Sequence, residues 1–314
     1  MIAIVDIGSN TIRLSAYEID VNGGFSQICR IKCVIGLAAY IDKKGTLSDV
    51  GIAETAAALN GFRAEIEAMN VSEVRVFATS AFRDVANTAD IISTIKRKTG
   101  FDVTVISGEE EALCGFAGAT NDAPLTNGIF IDIGGGSTEL ILSKNGNIEM
   151  AVSIAIGSLD MYTKHVTRVL PTAAQSKKIR LDTLKKLEKI GPKKSTVKEL
   201  RGVGGTMRAL YQLNNAIFDL PPENRAVRAS NVEKLLEMID TDTHRIVGKI
   251  LNITPERIHT VTPGMIILYT IIKYYDCETV VVSESGVREG YLIRNVLKNR
   301  DTSHTPLLPP PHLA

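Results

Sequence analysis

The 314-residue chain contains no tryptophan, and aromatic residues make up only 5% of it. So few aromatic rings argue against a base-stacking surface for nucleic acid. Lysine and arginine number 36 and aspartate and glutamate 35, which gives a net charge of +1. Bulk charge therefore favours neither DNA nor a membrane surface as a partner. Any site for an anion must be local.

Cysteine is scarce too, with four residues and no Cys-x-x-Cys pair. That pattern disfavours a structural zinc site and, at this length, a disulfide framework. Cys29 and Cys33 share one face of a predicted strand and are expected to be small core residues. No run of roughly 18 apolar residues occurs, and residues 1–10 lack the basic start of a signal peptide. We therefore expect a cytoplasmic protein without a membrane span.

The chain does contain a repeated α/β pattern. Strands are predicted over 2–6, 12–16 and 27–34, with a tight turn at 7–10 between the first two. From residue 127 the order starts again, with strands over 128–132 and 138–143, a turn between them and a further strand through 153. Asp6 and Asp132 occupy matching places, 126 residues apart (132 − 6). The pattern predicts duplicated α/β domains with mixed sheets that face each other across a cleft.

The duplication divides the chain into a first domain over 1–125 and a second over 126–300, whose last helix is expected to pack back on the first domain. The tail over 301–314 holds four prolines and is expected to be disordered. A capping box is predicted at 230–233. The basic run over 177–194 is predicted to be a solvated helix face.

Glycine-bearing turns at 6–11, 132–138 and 202–206 are the strongest chemical signal. Glycine lets the backbone approach an anion closely, and successive N–H groups form a nest for phosphate oxygens. One such turn is weak evidence, but two at matching places, each with a strand-end acid, favour a phosphate site. Because a buried strand-end aspartate needs a partner or a metal, phosphate between two nests with Mg²⁺ held by acids is the simplest interpretation.

Five blocks of the sequence resemble the exopolyphosphatase/guanosine pentaphosphate phosphatase (Ppx/GppA) family. They lie at 5–14, 78–87, 106–112, 131–140 and 283–290, and the likeness spans roughly residues 1–295. The resemblance implies duplicated actin-like domains (the sugar kinase–Hsp70–actin, ribonuclease H-like fold) around an interdomain cleft, in a short two-domain form. It also implies a hydrolase that releases terminal orthophosphate from inorganic polyphosphate by metal-assisted attack of water.

The resemblance also implies residue roles. Glu111 matches the catalytic carboxylate that deprotonates the attacking water, and the two glutamates before it cannot face the same way on a helix. Asp132 and Glu139 match acids that hold Mg²⁺ or Mn²⁺, and Arg83 matches an arginine that holds substrate phosphate. The predicted phosphate contacts are Gly8, Ser9, Asn10, Thr11, Arg83, Gly134, Gly135, Gly136 and Ser137, and the candidate cleft-lining residues are Asp6, Gly204, Gly205 and Thr206.

Several alternatives stay open. The same fold could convert pppGpp to ppGpp, bind polyphosphate or (p)ppGpp as a sensor without turnover, or act as an ATPase or sugar kinase. The intact Glu111, Asp132 and Glu139 argue against a sensor. Polyphosphate or guanosine penta- or tetraphosphate is the expected ligand, DNA and membranes are not expected partners, and a homodimer is left open.

Two features bear on the cleft. Where an Arg-Ala-Asp type sequence is expected after Ile258, residues 259–264 read His-Thr-Val-Thr-Pro-Gly, which leaves the second domain's cleft edge uncertain. A polyanion also needs a positive track. The candidates for it are Arg83, Lys177 to Arg180, Lys185, Lys186, Arg201 and Arg208.

Overall fold

A computed structural model describes residues 1–21, 23–190 and 197–298, and over these ranges the chain forms two mixed β-sheets with helices packed on their faces. The predicted tail over 301–314 lies outside the described residues, as does the end of the basic run at 191–194. No helix within the described ranges is both long and apolar enough to cross a membrane.

The first sheet contains β1 (Ile2–Ile7), β2 (Thr11–Ile19), β3 (Phe25–Val34), β4 (Glu73–Ala78) and β5 (Val103–Val105). Its strand order is β3-β2-β1-β4-β5. Strands β1, β2 and β3 are antiparallel neighbours, and β4 and β5 run parallel to β1. Every residue of β1 is buried, because apolar clusters cover both faces of this sheet.

The second sheet contains β6 (Gly128–Ile133), β7 (Thr138–Lys144), β8 (Asn147–Ile154), β9 (Glu199–Val203), β10 (Ala226–Arg228) and β11 (Thr279–Val282). Its order is β10-β11-β9-β6-β7-β8. Without the edge strand β10, the order and the strand directions repeat those of the first sheet. The duplicated α/β fold with mixed sheets is confirmed.

The helices are α1 (Asp49–Ala68), α2 (Ser80–Arg83), α3 (Thr88–Thr99), α4 (Gly108–Ala119), α5 (Ser158–His165), α6 (Ala173–Lys189), α7 (Gly204–Ile217), α8 (Ala229–Thr241), α9 (Thr243–Ile253), α10 (Val261–Tyr275) and α11 (Val287–Tyr291). A 3₁₀ turn follows β3, another precedes α10, and π-helical turns continue α11. Helix α1 begins at a side-chain cap, because the Ser48 side chain accepts a hydrogen bond from the Gly51 N–H.

Helices α4 and α11 join the two sheets. Helix α4 packs on the second sheet, where Ala112 shares a buried cluster with Phe130 and Ile141. Helix α11 packs on α4 and reaches the first sheet, where the Tyr291 ring stacks on Phe77 at 4.6 Å. A Cβ atom at Gly290 would lie 1.6 Å from the Cys114 carbonyl oxygen, so the two helices approach at backbone contact. The helix that carries Glu111 is therefore held between both halves.

Two local predictions are wrong. Helix α8 begins after Arg228, which forms no side-chain cap, so Ser230 lies in the first turn and the predicted capping box does not form. The short strand β10 holds the preceding residues in the sheet and sets this boundary. Cys29 and Cys33 are half-buried rather than core residues, because β3 lies at the edge of the first sheet.

Candidate active site

The turns that follow β1, β6 and β9 line one narrow cavity of about 90 Å³ between the two sheets. Most of the residues predicted from the sequence meet here. Those in its wall are Asp6, Gly8, Ser9, Asn10, Thr11, Glu111, Asp132, Gly134, Gly135, Ser137, Gly204 and Gly205. The third turn contributes the start of α7, where Gly204 has the left-handed φ of 85° that favours glycine.

The first two turns have the same internal hydrogen bond. The Gly8 N–H donates to the Thr11 carbonyl at 3.1 Å, and the Gly134 N–H donates to the Ser137 carbonyl at 2.9 Å. The turns also touch each other, because a Cβ atom at Gly135 would lie 3.2 Å from the Ser9 Cβ. A side chain at position 135 would therefore crowd the first turn, which favours glycine there.

Among the described residues, four that were predicted as site residues lie outside this wall. Gly136 is not in the cavity wall but lies next to Ser9, and a Cβ atom at position 136 would be 3.1 Å from the Ser9 hydroxyl oxygen. The Thr206 hydroxyl donates to the Ile133 carbonyl at 2.9 Å and so fixes the third turn. The Arg83 side chain contacts Glu111 in the wall, and the Glu139 side chain accepts a hydrogen bond from Ser153 on β8.

Glu111 owes its place to the start of α4. The Ser107 side chain caps the helix by accepting from the Glu110 N–H at 3.1 Å. Glu109 then points to solvent, Glu110 forms an ion pair with Arg294, and Glu111 is buried at the cavity. This is the single inward-facing glutamate that helical geometry allows.

The ionisation of Glu111 is shifted by its surroundings. Burial, with smaller contributions from the charges of Asp132 and Asp6, raises the pKa of this carboxyl group, which settles at about 7. Arg83 acts in the opposite direction, because its Nη1 donates to Glu111 Oε2 at 2.8 Å. The Arg83 guanidinium thus holds Glu111 in this structure, and its predicted contact with substrate phosphate stays a prediction.

Asp132 and Glu139 stand side by side. Spacing along the sequence left open whether both face the same way, but they are direct cross-strand partners on β6 and β7, so they share a face of the sheet. Ser153 donates to Glu139 Oε1 at 2.8 Å. Burial raises the pKa of Asp132 to about 6, and burial and the charges of Glu111 and Asp132 raise the pKa of Glu139 well above its usual value. In the described ranges, no three acidic, His or Cys side chains converge as a metal site.

Arginines supply the opposite charge. Within the described residues, four of them line the cavity: Arg13, Arg208, Arg257 and Arg288. Burial and the neighbouring Arg288 lower the pKa of Arg13 to about 9 and that of Arg208 to about 10. The Arg288 Nε and Nη1 atoms are buried with no hydrogen-bond partner among the described residues. Cations that destabilise one another around a cavity are typical of a site that binds an anion.

The sequence prediction missed most of these arginines. Arg13 could have been found from its place seven residues after Asp6, which matches Glu139 after Asp132. Arg257 lies just before the unmatched block at 259–264 and lines the cavity. Arg288 lies inside the block over 283–290 that resembles the family, and that position is the signal that points to it.

Of the expected positive track, only part reaches this cavity among the described residues. Arg208 lines it. Arg201 instead donates to Glu199 and to the Ala123 carbonyl, and Lys177 and Arg180 on α6 line a separate depression.

Comparison with known proteins gives a consistent family. A family model described as the Ppx/GppA phosphatase family matches residues 17–299. A Haemophilus influenzae protein provisionally named exopolyphosphatase is 25% identical over 294 residues, which cover 93% of this chain and 90% of that protein. A guanosine-5′-triphosphate,3′-diphosphate pyrophosphatase of Aeromonas hydrophila is 23% identical over 302 residues, covering 95% of this chain and 60% of its own length. The crystal structure of an exopolyphosphatase from Cytophaga hutchinsonii has the same fold, with a TM-score of 0.84 and 22% identity over 95% of this chain and 98% of that one.

Proposed function

The chain belongs to the Ppx/GppA phosphatase family, and from that premise we propose that it hydrolyses phosphoanhydrides, releasing terminal orthophosphate from inorganic polyphosphate. One observation carries the proposal: buried arginines and a carboxyl group with a pKa of about 7 line the same cavity. Conversion of pppGpp to ppGpp is the second candidate, because a relative named for a guanosine-5′-triphosphate,3′-diphosphate aligns with 95% of this chain.

Binding of the terminal phosphate falls to the arginines and the turns. Phosphoryl transfer depends mainly on positioning and on neutralising charge. Phosphate oxygens would pair with the four arginines of the cavity wall, Arg13, Arg208, Arg257 and Arg288. The Nε and Nη1 donors of Arg288 have no other partner among the described residues. The N–H groups of the glycine turns add neutral donors at the same wall.

Glu111 would act as the general base. A base is most effective when its pKa lies near the working pH, which about 7 satisfies. As the water oxygen bonds to phosphorus, Glu111 takes the water proton and the bond to the bridging oxygen breaks. The shortened chain leaves with that electron pair, and orthophosphate is released. Arg83 holds one carboxylate oxygen of Glu111 and leaves the other for the water.

The acidic residues fit a divalent cation by their chemistry. Asp132 and Glu139 are hard oxygen ligands on adjacent strands, and their raised pKa values mean that positive charge nearby would stabilise them. Mg²⁺ is commonly held by one or two carboxylates together with substrate phosphates, so a three-residue cluster is not required. We propose that these two residues hold Mg²⁺ or Mn²⁺. When bound, such a cation neutralises charge on the phosphate oxygens.

Phosphate release from tripolyphosphate, long-chain polyphosphate, pppGpp and ATP, measured side by side, tests the proposal. Glu111→Gln keeps the shape of the side chain but cannot take a proton, so turnover should fall roughly 10²–10⁴-fold with substrate binding retained. Glu110→Gln is the matched control, because Glu110 lies outside the cavity, and it should keep wild-type turnover. Normal turnover by Glu111→Gln would remove Glu111 as the base. Loss of activity in the control alone would shift the assignment by one residue.

A further inference from the structure

Glu289 is a buried acidic residue beside the candidate phosphate site. It directly follows Arg288 on α11, and only 4% of its surface is exposed. Arg288 lines the phosphate cavity, where its Nε and Nη1 atoms have no partner within the described part of the chain. A buried carboxylate is costly, and this close to a bound phosphate it would also repel the ligand. Such a residue needs a role that offsets these costs.

Three groups hold the Glu289 carboxylate in place. Tyr17 is fully buried on β2, and its hydroxyl donates to Oε1 of Glu289 at 2.6 Å. The Gly286 N–H donates to Oε2 at 2.7 Å, and the Arg30 Nη2 atom lies 3.8 Å from Oε1. Burial acts to raise the pKa of this carboxyl group, but Arg288 and these hydrogen bonds hold the pKa below its usual value. Glu289 is therefore a negative charge in a fixed position.

The same contacts fix Arg288. Through its bond to Gly286, the Glu289 side chain closes the first turn of α11, so the backbone that carries Arg288 is held between positions 286 and 289. Tyr17 joins this turn to the first sheet. Burial acts to lower the pKa of Arg288, but the charge of Glu289, with that of Asp6, raises it above its usual value. Glu289 is therefore the main opposite charge of Arg288.

We infer that Glu289 and Tyr17 are positioning residues, which orient Arg288 toward the terminal phosphate by fixing the first turn of α11 to the first sheet. This inference rests on the proposed function, because it concerns how the phosphate site is assembled. Two roles for Glu289 predict opposite results. If Glu289 acted only as a charge, its neutralisation would remove a repulsion and tighten phosphate binding. If it positions Arg288, its neutralisation should weaken phosphate binding.

Steady-state kinetics with tripolyphosphate tests this assignment. Glu289→Gln offers one acceptor oxygen in place of two, and Tyr17→Phe removes one of the donors. Residues in one network are typically coupled by about 2- to 150-fold, so each change should raise KM about 5- to 20-fold, with kcat within about twofold. In an Arg288→Gln background the same changes should raise KM less than about twofold, because they act through Arg288. Tyr162→Phe is the matched control, because its hydroxyl donates to the Arg168 carbonyl outside the phosphate cavity, and it should keep the wild-type KM.

The outcomes separate the inference from the proposed function. A lower KM for Glu289→Gln, or rises in KM that persist in the Arg288→Gln background, would overturn the inference. A loss of unfolding free energy with KM unchanged would overturn it too, because the network would then be structural only. If the wild-type protein released phosphate from neither tripolyphosphate nor pppGpp, the proposed function would fail. Equilibrium binding of tripolyphosphate to the same variants would still decide the inference, and no binding at all would overturn both.

Discussion

The hairpins β1–β2 and β6–β7 have the same backbone arrangement, but they differ in charge at one position. In both, the strand-end aspartate has a direct cross-strand partner seven residues later. In the first hairpin Arg13 opposes Asp6, with Nη1 3.7 Å from a carboxylate oxygen. In the second hairpin Glu139 opposes Asp132. The first pair is neutral as a unit, and the second holds two acids.

This difference shows how a duplicated fold specialises. The turns keep the same hydrogen bond and provide backbone N–H groups twice. The cross-strand residue then sets what each hairpin can bind. Arg13 lowers the pKa of Asp6 against the effect of burial, whereas the charges of Glu111 and Asp132 add to burial in raising that of Glu139. We therefore propose that the first hairpin binds an anion and the second a cation.

Substitution of the strand-end acids should have the largest effect on activity, and the effect should differ between the two hairpins. Asp132→Asn is expected to lower kcat by roughly 10²–10³-fold and to raise the Mg²⁺ concentration needed for activity. Asp6→Asn should cost less, because Arg13 already neutralises Asp6. EDTA should abolish wild-type activity and added Mg²⁺ should restore it. Equal losses in the two variants, or full activity in EDTA, would contradict the assignment of the cation to the second hairpin.

The buried acids beside the second hairpin should also make the free energy of unfolding depend on pH. Because the folded pKa of Glu111 is raised from 4.5 to about 7, the metal-free folded protein binds more protons than the unfolded chain across that window. The free energy of unfolding therefore falls as pH rises from 5 to 8, by about 3 kcal/mol for Glu111 alone. Carboxyl groups with a lowered pKa, such as Glu289 and Asp182, titrate below this window.

Urea unfolding at pH 5 and pH 8, with and without Mg²⁺, measures this effect. Glu139→Gln should flatten the fall, because it removes one of the buried acids whose charges repel. Added Mg²⁺ should flatten it for the wild type as well. A free energy of unfolding that instead rises over this range would show that these acids are ionised in the folded protein without cost.

The local sequence pattern was enough to predict the fold and the turns. It was not enough to predict which distant residues meet at the cavity. The glycine turns follow from short motifs and Glu111 from the family resemblance of its block, and the structure brings them to one cavity. Arg13 follows from its match to Glu139 in the repeat, but Arg257 and Arg288 come from distant segments, and no spacing along the chain indicates that they converge with it. The capping box at Ser230 fails for a related reason, because pairing of β10 with β11 decides where the helix starts.

Substitution of Arg13 should separate anion binding from cation binding. Arg13→Gln removes a cation from the cavity wall, and a lost hydrogen bond to a charged group costs about 1.5–3 kcal/mol, so KM should rise about 10- to 100-fold. The salt dependence of KM should also weaken, while the Mg²⁺ requirement stays unchanged. Glu139→Gln should do the reverse. Steady-state kinetics at two ionic strengths and several Mg²⁺ concentrations distinguish them. Parallel behaviour of the two variants would mean that the hairpins are not specialised.

The smallest effect concerns the contact between the two turns. Ser9 in the first turn matches Gly135 in the second, and Ser9 shares a 2.8 Å hydrogen bond with Ser80. Ser9→Gly should lose that bond, and Gly135→Ala should crowd Ser9, at about 1 kcal/mol of unfolding free energy each. Combined, they should cost less than their sum, because the first vacates the space that the second fills. A double-mutant cycle by urea unfolding measures this coupling. Strictly additive changes in the free energy of unfolding would mean that the two turns are not in steric contact. The preference for glycine at position 135 would then have another cause.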